Sequence, residues 1–229
     1  MKPNLVVLSG AGMSAESGIS TFRDSNGLWE NYRIEEVATP EAWRANPDLV
    51  TTFYNIRRKQ IIEATPNACH LFLKDLEEKF HVEIITQNID DLHERAGSIH
   101  LTHLHGNIRF AKSSGPNQEN KLYPIESWEL GPTDLCDDGY RLRPHVVWFG
   151  EPVPMMDVAV EIVKKADVLL VIGTSLNVYP AAGLSQLALH AIQKIVVDPN
   201  AAELYIPNDF IKVNETAVAA IPFLEKLFL

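Results

Sequence analysis

The sequence predicts an α/β fold, with a Rossmann-like parallel sheet, helices on both faces and a smaller lobe built from two insertions. Short apolar, β-branched runs alternate with segments that have helical spacing of apolar residues. A glycine-rich segment directly follows the first apolar run, and two longer segments interrupt the alternation. Alternating strands and helices form parallel sheets, and ligands bind such sheets beyond the carboxyl ends of the strands.

The individual elements follow from these patterns along the chain. The predicted strands are 5–8, 82–86, 100–104, 146–149, 168–172, 195–197 and 210–213. The predicted helices are 41–45, 49–64, 67–79, 154–166, 181–191 and 217–228. Segment 109–143 is rich in Gly, Pro, Asn, Asp and Ser and has no clear period. We expect one domain over 1–229, with a Rossmann-like part over 1–23, 66–108 and 144–229 and a small lobe over 24–65 and 109–143.

Composition and charge exclude several classes of protein. The net charge of −10 argues against nucleic-acid binding through phosphate contacts. No apolar run approaches about 18 residues, and the first residues enter the first predicted strand at once, so we expect neither a membrane span nor a signal peptide. The two cysteines, Cys69 and Cys136, cannot form a disulfide framework or a four-cysteine zinc site. We therefore expect a cytoplasmic monomer.

The most informative segment is Ser9-Gly10-Ala11-Gly12-Met13-Ser14-Ala15-Glu16-Ser17-Gly18. Its glycines allow the backbone to turn sharply and to pass close to a ligand. A strand, a glycine turn and a helix start form an anion site, because free N–H groups point outward at a helix N-terminus. Pyrophosphate is the anion expected there. The spacing differs from the usual dinucleotide fingerprint, so a turn without a ligand is the alternative.

Polar residues follow three other predicted strands, where a ligand would bind. Gln87, Asn88 and Asp90 can hydrogen-bond ribose hydroxyls or a carboxamide, although a turn with a helix N-cap is the alternative. The segment Gly173-Thr174-Ser175 and the side chain of Asp198 can meet a nucleoside, or they form ordinary loops.

His105 also follows a predicted strand and can act as a general base near neutral pH. His100 and His103 lie close by in the sequence, which raises the alternative of a metal site. On a strand, however, 103 and 105 share a face while 100 points the other way. A metal site is therefore disfavoured.

Tyr54 and Arg57 lie three residues apart on a predicted helix and so share a face. A phenol and a guanidinium that converge can hold a carboxylate. An exposed helix face is the alternative, because Arg58 and Lys59 follow at once. The later segment Val147-Trp148-Phe149-Gly150-Glu151 could pair with a peptide substrate, or it is part of an ordinary buried strand.

Together these segments resemble the sirtuin family of NAD-dependent protein deacylases. Gly10-Ala11-Gly12-x-Ser14-Ala15-x-Ser17-Gly18-Ile19-x-x-Phe22-Arg23 is similar to the family's cofactor loop. Thr86-Gln87-Asn88-Ile89-Asp90, His105-Gly106-Asn107 and Gly173-Thr174-Ser175 occur in the family's order. The resemblance covers about 5–228 and is weak only over 109–143. Tyr54 and Arg57, with 144–151, resemble the bacterial members that prefer acidic acyl groups.

This resemblance implies an enzyme that removes acyl groups from protein lysines, succinyl or malonyl in preference to acetyl, and releases nicotinamide and O-acyl-ADP-ribose. It implies that His105 is the general base and that Asn88 is a second catalytic residue. The residues implied to bind NAD are Gly10, Ala11, Gly12, Ser14, Ala15, Phe22, Arg23, Gln87, Asn88, Ile89, Asp90, Gly173, Thr174, Ser175 and Asp198. Those implied to bind the acyl-lysine substrate are Tyr54, Arg57, Val147, Trp148, Phe149, Gly150 and Glu151.

The chain departs from the family pattern in its small lobe. The family normally has four zinc cysteines after the His-Gly motif, but this window holds only Cys136. We predict no zinc, because one thiolate among aspartates makes a poor structural zinc site. We expect the lobe to pack instead through Leu122, Tyr123, Ile125, Trp128 and Leu135.

A second departure is Asp198, which stands where the family often has Asn near the adenosine, and this makes the adenosine contact less certain. Two other kinds of function stay open at this point. One is NAD glycohydrolysis or mono-ADP-ribosyl transfer. The other is a non-catalytic module that binds NAD or an acyl-peptide.

Overall fold

The computed structural model describes residues 2–20, 32–117 and 121–229. Its main sheet consists of β1 (Asn4–Ser9), β2 (His81–Thr86), β3 (Leu101–His103), β7 (Val168–Ile172), β8 (Gln193–Val197) and β9 (Phe210–Val213). All neighbouring strands are parallel, in the order β3-β2-β1-β7-β8-β9. The predicted α/β fold with a parallel sheet is confirmed.

The strand order reverses between β1 and β7. From β1 the chain adds β2 and then β3 on one side, and it later returns to add β7, β8 and β9 on the other. Loops that leave two neighbouring strands in opposite directions open a crevice at the carboxyl ends of those strands. The crevice in this protein therefore lies where the loops after β1 and β7 begin.

Two apolar cores lie on the two faces of the main sheet. Leu5 and Val7 pack on one face, and Val6 and Leu8 pack on the other, as the alternation of side chains along a strand requires. All five residues of β7 are buried, which is typical of a strand covered on both faces.

Helices and 3₁₀ turns supply the outer layers of both cores. The first core includes residues of α1 (Ala11–Ala15), α5 (Ala68–Asp75), the 3₁₀ turn Leu76–Glu78 and α8 (Ile221–Phe228). The second includes residues of α7 (Met156–Val163) and the 3₁₀ segments Ala181–Leu187 and Ala201–Glu203. The predicted helix 181–191 is thus shorter and of 3₁₀ type, and the predicted helix 217–228 begins only at Ile221.

Three helices of the first insertion pack together beside the crevice. They are α2 (Ile34–Val37), α3 (Pro40–Ala45) and α4 (Pro47–Glu63). The side chains of Thr39 and Asn46 cap α3 and α4 by accepting backbone N–H groups at 3.0 Å each, and a proline begins each helix. Apolar residues of these helices pack with Leu92 of α6 (Leu92–Ala96) and with Val146 and Trp148.

The second insertion contains a small antiparallel sheet that sequence analysis did not find. Its strands are β4 (Gly106–Ser113), β5 (Leu122–Pro124) and β6 (Leu142–Val146), in the order β5-β4-β6. The sheet extends across the expected boundaries at 108 and 144. The predicted strand 146–149 is wrong, because β6 ends at Val146 and the chain then turns.

The core of this small sheet differs from the expected one. It consists of Ala111, Ile125, Leu130, Cys136 and Leu142, with Tyr123 packed against it. Leu122, Trp128 and Leu135 are instead exposed, so their expected packing role is wrong. Among the helices of the described residues, none has the length and apolar character needed to cross a lipid bilayer.

Candidate active site

The loops after β1 and β7 press directly against each other at the crevice. The N–H of Gly10 donates to Ile172 O at 3.1 Å, and the N–H of Gly12 donates to Gly173 O at 2.8 Å. A Cβ on Gly10 would lie 2.7 Å from the Cβ of Thr174, and one on Gly12 would lie 2.8 Å from the Cα of Gly173. The expectation that both amides are free for an anion is therefore wrong, because these glycines first allow two loops to meet.

A buried polar cluster ties the loop after β2 to the loop after β1. Asn88 Nδ2 donates at 3.0 Å both to Gly10 O and to Ser14 Oγ. The Ser14 hydroxyl in turn donates to Asp90 Oδ2 at 2.9 Å. Burial raises the pKa of Asp90, although hydrogen bonds from the Leu92 N–H and the Ser14 hydroxyl oppose this. Three residues expected to bind NAD therefore form one network.

His105 contacts the loop after β2 through the backbone carbonyl of Gln87. Its Nδ1 atom is 3.0 Å from Gln87 O, and because a carbonyl oxygen only accepts, Nδ1 carries the hydrogen. The Nε2 atom therefore holds a lone pair that can accept a proton. Burial lowers the pKa of His105, and the bond to Gln87 opposes this only in part. The half-buried imidazole is a neutral base near pH 7.

The backbone next to His105 requires glycine. Gly106 has a φ of +80°, and a Cβ there would lie 2.2 Å from His145 O. On the neighbouring loop, Gln87 Nε2 lies 3.3 Å from Thr174 Oγ1. Since Asn88 also contacts Gly10, the loop after β2 connects His105 with the crevice between β1 and β7.

The three neighbouring histidines have separate surroundings. The ring of His100 lies 4.6 Å from that of His81, whereas His103 Nε2 lies 2.8 Å from Glu94 Oε1. Within 2–20, 32–117 and 121–229, no group of three or more His, Cys, Asp or Glu side chains is placed to hold a metal ion.

Tyr54 and Arg57 lie inside the protein, so the alternative of an exposed helix face is wrong for them. Their exposed fractions are 3% and 8%. The indole Nε1–H of Trp148 donates to the Tyr54 oxygen at 3.1 Å. Burial raises the pKa of Tyr54 to about 12, so its phenol stays protonated. Burial lowers the pKa of Arg57, and the nearby Tyr54 and Asp90 oppose this, which places Arg57 within electrostatic reach of the polar cluster.

Most of the segment 147–151 bonds within the protein. The N–H groups of Val147 and Phe149 donate to His105 O and Ala38 O at 3.0 Å each. The N–H of Trp148 donates to Glu151 Oε2 at 2.8 Å, and only 2% of Trp148 is exposed. Phe149 is 45% exposed and Gly150 is also exposed, so these two are the most exposed residues of the segment.

The remaining expected site residues lie in several places. Asp198 follows β8, is buried, and accepts the N–H of Asn200 at 2.9 Å. Ala11 and Ala15 are the first and last residues of α1, and Ile89 packs against the core of the small-lobe helices. Ser175 is half-buried in the loop after β7. Phe22 and Arg23 lie outside the described residues.

Sequence analysis missed two groups beside the site. Arg143 forms two hydrogen bonds with Glu151, at 2.6 and 3.0 Å. His103 contacts Glu94 and also Asn88 O, the latter at 3.1 Å from Nδ1. No local sequence pattern indicates that Arg143 is buried. For His103, the strand face that it was expected to share with His105 was a signal that it could lie near the site.

These features define an α/β protein in which polar side chains from several loops meet at the carboxyl ends of the parallel strands. The model of the Sir2 family matches residues 10–180, and the chain belongs to this family. It is 48% identical over 230 residues to an NAD-dependent protein deacylase of Bacteroides thetaiotaomicron, and the match covers 99% of this chain and 98% of the relative. The resemblance found in the sequence is confirmed.

Two solved structures extend the comparison. The crystal structure of a Sir2 homologue–NAD complex has a TM-score of 0.87 and 38% identity, and the match covers 100% of this chain and 91% of that one. Sir2 with a deacetylated p53 peptide and 3′-O-acetyl-ADP-ribose has a TM-score of 0.80 and 32% identity, covering 98% of this chain and 94% of that one.

Proposed function

We propose that this protein is an NAD-dependent protein-lysine deacylase that prefers succinyl and malonyl groups to acetyl. Membership of the Sir2 family and the similarity to the NAD-dependent protein deacylase of Bacteroides thetaiotaomicron support NAD-dependent deacylation. The preference for acidic acyl groups depends on one observation. Tyr54 and Arg57 are both buried, next to Trp148 and within electrostatic reach of Asp90.

The residues at the crevice fit NAD. Glycines allow the backbones of the loops after β1 and β7 to approach closely at the crevice, and the cluster of Ser14, Asn88 and Asp90 offers amide and carboxylate groups to a carboxamide or a ribose. When bound, NAD supplies the ribose carbon whose bond to nicotinamide breaks and the ribose that takes up the acyl group. Gln87, Thr174 and Asp198 follow neighbouring strands and would complete the contacts.

His105 provides the base that this chemistry needs. Its Nδ1–H is fixed on Gln87 O, so the ring presents Nε2 to accept a proton from a hydroxyl group. Burial keeps the ring neutral at the working pH by lowering its pKa. Asn88 would orient the departing carboxamide, because its own side chain is held by Gly10 and Ser14.

An acidic acyl group would gain from Arg57 what acetyl cannot. A carboxylate that reaches a buried guanidinium forms charge-assisted hydrogen bonds, and it also offsets the cost of keeping that cation away from water. The protonated phenol of Tyr54 can add a neutral donor. A malonyl or succinyl chain carries such a carboxylate, whereas acetyl ends in a methyl group.

The test compares kcat/KM on succinyl-lysine and acetyl-lysine peptides for the wild type, Arg57→Met and a control, Arg44→Met. Arg44 is exposed on α3 and pairs with Glu41 at the surface. Loss of a charged hydrogen bond is expected to reduce activity on the succinyl peptide about 10- to 100-fold, with a much smaller change on acetyl. Equal losses on both peptides would reject this role of Arg57, and a wild type that is no faster on the succinyl peptide would contradict the preference. Nicotinamide release without any acyl-peptide would indicate a glycohydrolase instead.

We also propose that the small lobe folds without zinc. The Sγ of Cys136 donates to Ser113 Oγ at 3.3 Å, and the residue packs in the apolar core of this lobe. The hydrogen bond and the apolar packing therefore give the thiol of Cys136 its contacts without a metal ion. Metal analysis of the purified protein checks the proposal, and one equivalent of bound zinc would contradict it.

A further inference from the structure

Trp148 packs between a buried ion pair and the helices of the small lobe. The guanidinium carbon of Arg143 lies 3.3 Å from the centre of the Trp148 ring. Arg143 also forms two hydrogen bonds with Glu151, whose Oε2 accepts the backbone N–H of Trp148 at 2.8 Å. The side chain of Arg143 is only 5% exposed, so water does not weaken these contacts much. The indole therefore has one fixed orientation.

The fixed indole determines what Tyr54 can do. Its Nε1–H donates to the Tyr54 oxygen at 3.1 Å, and an indole N–H cannot accept. The phenol therefore cannot donate its own hydrogen to Trp148. Because burial raises the pKa of Tyr54 to about 12, that hydrogen is present at neutral pH and must point elsewhere.

We infer that Trp148 is a positioning residue for acyl-group selection, which turns the Tyr54 hydroxyl into a donor toward an acyl carboxylate held by Arg57. The ligand class is an acyl-lysine with a terminal carboxylate, and the inference rests on the proposed function. Tyr54 and Arg57 are three residues apart on α4, so both side chains lie on the same side of the helix. Arg143 and Glu151 act one step further away, by holding the indole.

The other explanation is that Trp148 serves only to fill the core. It belongs to the cluster of Phe53, Tyr54 and Val146, and its ring lies 5.8 Å from that of Trp43. A purely structural role would affect all substrates alike through stability. A positioning role would change the ratio of the two activities, and it would be coupled to Tyr54. These two consequences separate the explanations.

The test uses Trp148→Phe, which keeps an aromatic ring but removes the indole N–H, and Trp43→Phe as the packing control. We expect Trp148→Phe to lower the succinyl-to-acetyl ratio of kcat/KM about 3- to 10-fold, mainly by raising KM for the succinyl peptide. Trp43→Phe should change this ratio less than about twofold, since the Trp43 ring packs against the indole and under the Arg141 guanidinium but makes no contact with Tyr54 that would orient its hydroxyl, among the described residues. An unchanged ratio in Trp148→Phe would overturn the inference.

A double-mutant cycle with Tyr54→Phe checks the coupling. The double variant should lose no more of the ratio than Tyr54→Phe alone, because both changes remove the same donor orientation. Losses that simply multiply would overturn the inference. If Trp148→Phe does not fold, the NMR signal of the Trp148 indole N–H in Tyr54→Phe decides. A shift toward that of an unbonded indole supports the contact, and an unmoved signal overturns it.

These outcomes differ from a failure of the proposed function. If Arg57→Met leaves the ratio unchanged, then the preference for acidic acyl groups is absent and the proposed function fails. If Arg57→Met lowers the ratio while Trp148→Phe does not, only the positioning role of Trp148 fails.

Discussion

His103 and His105 donate from their Nδ1 atoms to successive carbonyl oxygens of the loop after β2. The distances are 3.1 Å from His103 to Asn88 O and 3.0 Å from His105 to Gln87 O. The second nitrogen of His103 also faces an acceptor, Glu94 Oε1, at 2.8 Å. Both ring nitrogens of His103 therefore face oxygen acceptors, which favours its charged form, whereas burial lowers the pKa of His105 and favours its neutral form.

Glu94 favours the charged form of His103. Burial alone would lower the pKa of His103, but the hydrogen bond and charge of Glu94, with smaller contributions from Asn88 O and Asp90, together raise it. A raised pKa in the folded state gives stability that is complete below the unfolded pKa and is lost as pH rises through the folded pKa. We therefore expect Glu94→Gln to lower the free energy of unfolding by about 0.5–1 kcal/mol at about pH 6, since Glu94 is partly exposed, and by much less at about pH 9.

Urea unfolding at both pH values measures this difference. Glu161→Gln is the matched control, because Glu161 pairs with Lys164 at the surface, where the side chains are 63% and 53% exposed. Exposed pairs of this kind contribute little, so the control should change stability by less than about 0.5 kcal/mol at either pH. A loss in Glu94→Gln that is the same at both pH values would show that His103 is not the partner that titrates.

We expect protonation of His105 to determine how kcat/KM decreases at acidic pH. Because burial lowers its pKa, the base stays neutral to a lower pH than an ordinary histidine. We expect kcat/KM of the wild type to fall only below about pH 6.5. We expect His105→Asn to reduce kcat about 10²- to 10⁴-fold and to abolish this decrease at acidic pH. The melting temperature of the variant checks that the fold is intact. A decrease in the wild type that begins well above this pH would show that burial does not dominate the pKa of the base.

The sequence was sufficient where structure depends on local pattern. A strand such as β7, in which all five residues are apolar and buried, can be recognised without knowledge of its neighbours. The glycine, asparagine and histidine motifs were placed at strand ends, and the structure brings them together at one crevice. The order of these motifs carried more information than any one of them, because each alone is also a common turn.

The sequence was insufficient where burial depends on distant partners. Arg58 is fully buried, although it follows Arg57 and precedes Lys59 in what looks like a charged helix face. Its guanidinium donates to Ile108 O, to Asn55 Oδ1 and to Trp128 O, and the first and last of these lie far along the chain. No pattern within α4 reveals those acceptors. For the same reason β4 was missed, since its pairing with β6 joins residues that are far apart in the chain.

Gly173 provides a direct test of the contact between the two crevice loops. Its φ is +63°, and a Cβ there would lie 2.2 Å from the backbone nitrogen of Met13. Gly139 is a matched control, because its φ is +78° but a Cβ there would meet nothing within 4 Å. Both alanine variants should lose about 1–2 kcal/mol of unfolding free energy from the left-handed backbone. Gly173→Ala should lose about 1–3 kcal/mol more, because two backbones must move apart.

The same displacement should weaken binding of NAD to Gly173→Ala, since the loops after β1 and β7 form the crevice. Urea unfolding gives the stability difference between the two variants, and calorimetric titration with NAD gives the affinities. Gly139→Ala lies in the small lobe and should bind NAD as the wild type does. Equal losses of stability in the two variants, with unchanged affinity in Gly173→Ala, would mean that the two loops can separate freely, and then their contact does not shape the nucleotide site.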